Sequence, residues 1–171
     1  QLAKQLYSPK ANNIFERLLQ KPIEWVIALR IERYYTKEEI ISLYLNQFDF
    51  LYNAVGIRSA AQTYFDKTPA ELNIQESATL VGMCKNPSLY NPILHDTPER
   101  SIERRNVVFK QMQKAGMLTK AEVDSLSKLP MELNFKVLSH SDGLAPYYRE
   151  HIRLLLTAKK PKRSDYNQWT K

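Results

Sequence analysis

The stretch QKPIEWVIALRIERYYTKEEIISLYLN, residues 20–46, constrains the chain most. Its apolar residues recur at three- and four-residue steps (Ile23, Val26, Ile27, Ile31, then Ile40, Leu43, Tyr44), the period of amphipathic helices. The pattern breaks at Tyr34 to Thr36, and Thr36 with Glu39 has capping-box spacing, so two helices are expected to meet there. Pro22 lacks a backbone N–H and is best tolerated in the first turn of a helix. That predicts a buried helix opening at Pro22, with Glu24 near the positive end of its dipole. Lys21 and Glu24, three residues apart, share one face of that turn. The second helix is expected to bury Ile40, Leu43 and Tyr44 and to end at Asn46.

The rest of the chain reads as helix too. Only 4 Gly stand against 9 Pro in 171 residues, and 43% hydrophobic content can build a real core. Cap signals recur at Thr68-Pro69-Ala70-Glu71, at Asn73 with Glu76, and at Thr119 with Glu122. Gly116 reads as a helix stop. Helices are expected near residues 1–7, from 14 into the central pair, and over 58–65, 74–84, 99–116, 120–128 and 146–157. Ser8 to Asn13 and Ser141-Asp142-Gly143 read as loop and turn. Met131, Leu133, Phe135 and Val137 alternate, which predicts one short strand with no partner in view. The tail AKKPKRSDYNQWTK is polar and basic and reads as linker. Without an initiator Met, and with Leu2, Ala3 and Leu6 already at helical spacing, the chain is expected to be a piece of a longer protein.

A net charge of +7 fits a nucleic acid, an anionic membrane surface or a phosphate-bearing substrate. No clustered basic helix with base-reading side chains stands out, so no nucleic-acid partner is expected. No apolar run approaches the roughly 20 residues that span a bilayer. His95, His140 and His151 lack metal-ligand spacing. Cys84, the single cysteine, follows an apolar helical run and is expected to be a buried thiol. Taken alone, Lys21 with Glu24 is an ordinary surface ion pair. Likewise Asn46 is a helix-end hydrogen bonder, Arg104 and Arg105 pack at the core edge, and Tyr34, Tyr35, Tyr44 and Tyr52 are amphipathic core edges or a sugar-stacking wall.

Several local patterns occur in one order: QLAK at the start, Lys21-x-x-Glu24, KEEIISLYLN at 37–46, AAQTYFDK at 60–67, ESATLVG at 76–82, YNP at 90–92 and ERRNVVF at 103–109. Over about residues 1–116 the chain resembles the peptidoglycan glycosyltransferase domain of bifunctional class A penicillin-binding proteins, glycosyltransferase family 51. The resemblance implies an all-α, lysozyme-like domain over residues 1–128, with a short C-terminal strand and a connection toward a transpeptidase domain over 129–171. It implies polymerisation of lipid II onto a nascent glycan chain at the periplasmic face of the inner membrane. An acceptor 4-hydroxyl attacks the anomeric carbon, and a lipid pyrophosphate leaves.

Residue by residue, the resemblance implies Glu24 as a catalytic-site carboxylate and Gln1, Lys4, Lys21, Lys37 and Asn46 as substrate-binding residues. Lys4 and Lys21 would meet charge developing on the pyrophosphate, with Gln1 as a donor. Glu24 beside cations should stay ionised. It could orient Lys21, accept from a substrate hydroxyl, or help hold a divalent cation, Mg or Mn, on the pyrophosphate. Gln20 replaces an arginine of the family's third motif, and Arg17, about a turn earlier, could stand in for it. Leu51 and Asp66 stand where the family has glycine, so altered loop geometry is expected at both. Arg104 and Arg105 match the fifth motif. The family's general base belongs to a motif upstream of residue 1, so the chain as given is expected to be inactive, with an exposed apolar face near Gln1, Ile14 and residues 47–57. The alternative is a non-catalytic helical module that binds lipid pyrophosphate or a protein partner.

Overall fold

The computed structural model describes residues 1–7, 13–95, 98–137 and 146–158. Its described elements are helical: α1 (Leu2–Tyr7), α2 (Ile14–Tyr34), α3 (Lys37–Gln47), α4 (Ile57–Phe65), a 3-10 turn (Pro69–Glu71), α5 (Ile74–Met83), α6 (Glu99–Lys114), α7 (Lys120–Lys128) and α8 (Pro146–Ala158). One compact unit spans Gln1–Lys136 and a second spans Val137–Lys171, which carries α8. All but Asn13 of the expected Ser8–Asn13 loop, the turn at Ser141–Gly143, His140 and the basic tail from Lys159 on lie outside the described residues.

The caps legible in the sequence form. Thr36 with Glu39, Thr68 with Glu71, Asn73 with Glu76 and Thr119 with Glu122 each close a reciprocal capping box. Beyond α6, the Met117 N–H donates to Met112 O (2.9 Å) and the Gly116 N–H to Gln113 O (3.0 Å), with Gly116 at φ 76°. This is the Schellman closure that a C′ glycine permits.

Three expectations need correction. The central helix does not open at Pro22: α2 runs unbroken from Ile14, with Pro22 in its interior. The carbonyl of Leu18, which would accept from residue 22, faces a proline, but both residues are exposed, so water can serve it. Glu24 therefore sits mid-helix, away from the positive dipole end. Nor is this helix buried: Leu18 is 71% exposed and Trp25 68%. On α3, Ile40 and Tyr44 are only half-buried and Leu43 is exposed. Finally, residues 131–137 are extended but form no strand. Their alternation is real, because Leu133 and Phe135 pack on the main core while Glu132, Asn134 and Lys136 face out. The hydrogen-bond partner is a helix end instead of a second strand. Asn134 N–H donates to Tyr64 O (3.0 Å) and Lys136 N–H to Thr63 O (2.8 Å), carbonyls at the end of α4 that its own ladder leaves open.

The main core gathers Phe48, Phe50, Ala54, Ala60, Ala61, Tyr64, Phe65, Leu80 and Met83. Helix α5 packs closely along α6, and Gly82 makes this possible: a Cβ there would sit 3.1 Å from Arg104 Cγ. A smaller cluster of Ala78, Phe109, Leu118 and Val123 joins α7.

Between α3 and α4 the chain makes a tight loop. Asp49 bridges Val55, the Phe50 N–H donates to Ala54 O (3.0 Å), and the Ala54 N–H returns to Leu51 O (2.8 Å). Leu51, Tyr52 and Asn53 all have positive φ, at 68°, 51° and 62°. Each left-handed L-residue costs roughly 1–2 kcal/mol, less for Asn. Leu51 and the C-cap of α4, Asp66 (φ 54°), are the two positions where the resemblance expects glycine. The left-handed backbone is present at both without it.

Candidate functional site

Gln1 stands just before α1 and Lys4 lies within it, α2 carries Lys21 and Glu24, and α3 carries Lys37 and Asn46 at its two ends. The three helices pack on one another. Leu2 and Ala3, each 5% exposed, anchor α1, which leaves Lys4 in solvent. The capping box of Thr36 sets the first turn of α3 and hence Lys37, which is exposed. Asn46 is exposed, and its carbonyl lies where a Cβ on Gly56 would approach to 2.8 Å. Gly56 has φ 86°, so glycine meets both the steric and the conformational demand there.

Lys21 and Glu24 form a direct ion pair, Nζ to Oε2 3.1 Å. The lysine side chain is 54% exposed and the carboxylate 13%. The pair is thus asymmetric: a sheltered acceptor fixes one end of a cation that still reaches solvent. That arrangement presents a positive charge to solvent beside a sheltered carboxylate. Gln20 is half-buried beside it, and the side chain of Arg17 lies outside the described residues.

Among the described residues no group of three or more His, Cys, Asp or Glu could hold a metal ion. Glu24 offers one carboxylate, which does not by itself make a protein-held divalent site.

The tyrosines divide. Tyr34 and Tyr35 are exposed, whereas Tyr44 leans on Phe48 (ring centroids 5.6 Å) and Tyr52 meets Phe135 edge-on (5.0 Å). The two fifth-motif arginines divide as well. Arg105 is completely buried; its Nη2 donates to Leu129 O at 2.9 Å, and Nη1 lies 3.4–3.5 Å from Gln75 Oε1 and Pro130 O. Burial lowers its pKa. It holds the end of α7, where the helix dipole favours a cation. Arg104 stands over the Tyr90 ring, 5.7 Å from its centroid. A cavity of about 80 Å³ beside Arg105 is lined by Phe65, Gln75, Glu76 and Thr79 among others, none a candidate site residue.

Sequence reasoning missed a buried polar relay. The Tyr64 hydroxyl donates to Phe50 O (2.6 Å) and accepts from Asn91 Nδ2 (2.7 Å). The other amide atom of Asn91, Oδ1, accepts from the N–H groups of Ile93 and Leu94. Burial pushes the Tyr64 phenol above its usual range. The relay ties the left-handed loop to α4 and to the YNP turn. Its one sequence signal was an Asn before a Pro, which reads as a turn and says nothing of a partner 27 residues away. Exposed apolar residues lie near the expected places, at Leu6, Leu18, Leu19 and Val55, while the side chain of Ile14 is outside the described residues. The surface extends further along α2 than expected, through Ile23, Val26 and Leu29 at helical steps, with Arg30 and Arg33 following.

The Transglycosylase family model matches residues 1–113. Penicillin-binding protein 1A of Aquifex aeolicus is 39% identical over 132 residues, covering 77% of this chain and 17% of the relative. Penicillin-binding protein 1A of Escherichia coli is 37% identical over 150 residues, covering 84% of this chain and 17% of the relative. The crystal structure of penicillin-binding protein 1A from Haemophilus influenzae superposes with a TM-score of 0.55 at 35% identity, covering 74% of this chain and 18% of that one. The chain thus spans under a fifth of the length of these relatives.

Proposed function

Because the chain belongs to the transglycosylase family, we propose that it forms the leaving-group side of a peptidoglycan glycosyltransferase site, acting on lipid II and a nascent glycan chain. The match over residues 1–113 carries this reading. When the acceptor 4-hydroxyl attacks the anomeric carbon, the bond to the pyrophosphate breaks and its electron pair stays on the leaving oxygen. Lys4 and Lys21 neutralise that charge, and the Gln1 amide donates to it. Glu24 orients Lys21 through the 3.1 Å pair and is not the base. Lys37 and Asn46, at opposite ends of α3, bind substrate. The hydroxyl proton goes to a carboxylate supplied by the family's first motif. Residues 1–128 are the glycosyltransferase part and 129–171 run on toward a transpeptidase domain, with 129–136 still packed in the first compact unit.

No described helix is long and apolar enough to cross a membrane. The exposed side of α2, with its apolar residues and two arginines, suits the interfacial plane of an anionic bilayer. The reading therefore places the domain against the periplasmic face of the inner membrane, where the lipid tail of its substrate resides. A blue shift of Trp25 fluorescence on adding anionic vesicles would support this contact.

The main test uses a form extended upstream by the segment that precedes the matched region in the relatives, assayed on fluorescent lipid II. Lys21→Ala and Glu24→Gln should each lower kcat roughly 100-fold, the scale of one lost contact to a developing oxyanion. The 171-residue chain alone should make no glycan. Wild-type rates in both variants, or polymerisation by the chain alone, would refute the assignment.

A further inference from the structure

We propose that Phe135 is a positioning residue for glycan transfer, holding the left-handed loop Leu51–Asn53 in the conformation that places Asn46. The proposal rests on the reading of Asn46 as a substrate-binding residue. The loop's own bonds, Leu51 N–H to Asp49 Oδ1 (2.8 Å) and Ala54 N–H to Leu51 O (2.8 Å) among them, close the turn, but they work against the strain of three consecutive positive-φ residues with no glycine. Two contacts from outside the loop add to those bonds. The Tyr64 hydroxyl grips the Phe50 carbonyl at the loop's entry. The Phe135 ring meets Tyr52, the middle left-handed residue, at 5.0 Å and 75° between planes, an edge-to-face contact.

Phe135 is itself held. Its ring packs 5.6 Å from that of Tyr64. The N–H groups on either side of it, Asn134 and Lys136, are bonded to the last carbonyls of α4. It therefore acts as a fixed wall against the loop and not as a follower of it. The loop in turn exits through Gly56, whose Cα is pressed so closely on the Asn46 carbonyl that no side chain fits between them. A shift at Tyr52 thus has a short mechanical path to Asn46.

Hydrogen exchange on the 171-residue chain and polymerisation by the upstream-extended form test this together. Phe135→Ala should speed exchange at the Ala54 and Gly56 amides about tenfold while leaving α5 and α6 unchanged. Tyr52→Ala removes the other ring with Phe135 still in place and should do the same, so a poorly folding Phe135 variant does not end the test. Adding Leu51→Gly, which makes the left-handed backbone inexpensive, should restore slow exchange in the Phe135→Ala chain. In the extended form Phe135→Ala should raise KM for lipid II several-fold, with Leu51→Gly recovering part of it. Unchanged loop exchange in both single variants, or accelerated exchange with no effect on KM, overturns the proposal. An extended wild-type form that makes no glycan refutes the functional reading instead, and the exchange arm still decides whether Phe135 holds the loop.

Discussion

Adjacent arginines with opposite surroundings make the sharpest stability prediction. Arg105→Ala removes a charge-assisted hydrogen bond to Leu129 O at 2.9 Å, worth roughly 1.5–3 kcal/mol. It also strips two buried methylenes at about 0.8 kcal/mol each and the contact with Phe109, whose centroid lies 5.6 Å from the guanidinium carbon. Two terms oppose these. The guanidinium no longer has to be desolvated, and the neighbouring cavity of about 80 Å³ lets water reach the abandoned carbonyls. The net expected loss is about 3 kcal/mol, near 10 °C in Tm for a unit of this size. Arg105→Met keeps much of the apolar volume and should recover about half. Arg104→Ala loses a half-exposed cation–π contact over Tyr90 and frees a buried Nε that has no hydrogen-bond partner, so about 1 kcal/mol or less is expected. Urea unfolding followed by far-UV circular dichroism measures all three. If Arg104→Ala costs as much as Arg105→Ala, or if Arg105→Ala costs under 1 kcal/mol, the carbonyl clamp does not stabilise the fold.

Further outcomes follow from the same geometry. Gly56→Ala would press a Cβ to 2.8 Å from Asn46 O at φ 86° and should destabilise by about 2–3 kcal/mol in the same urea assay. At the exposed C-cap of α4, Asp66→Gly should be about 1 kcal/mol more stable than Asp66→Ala, since only the alanine pays for a left-handed backbone. Burial pushes the Cys84 thiol up to about 11, so a disulfide reagent at pH 8 should label it far more slowly in the native chain than in urea. Because that pKa is raised on folding, the unfolded chain loses the proton first. Stability should therefore fall as pH rises from the free-thiol range toward 11, and Cys84→Ala should remove this part of the decline.

The helical architecture was legible because its signals are local. Four capping boxes, the stop at Gly116 and the apolar periods each need a handful of neighbouring residues. What failed depended on partners distant in sequence. An interior proline is costly, so Pro22 points to a helix start, yet exposure on α2 lets solvent relieve the lost bond. The alternation at 131–137 points to a strand, but period two does not reveal what accepts its hydrogen bonds, and here a helix end does. The six site residues came from motif resemblance; the packing of α1, α2 and α3 brings their helices together, a relation no spacing rule contains. Nothing local pairs Tyr64 with Asn91, 27 residues apart, and only the fold joins them.

The core also shows where a recognisable segment and a self-sufficient one part company. The family match ends at residue 113, but Leu118 and Val123 complete the α6–α7 cluster, and Leu133 and Phe135 close the main one. Twenty-three residues past the end of the family model, up to Lys136, the polypeptide is still closing the apolar interior of the same compact unit. A recombinant piece cut at 113 would keep every candidate side chain and lack the pieces that shut its interior. It should come out of expression as aggregate, whereas one ending after Lys136 should not.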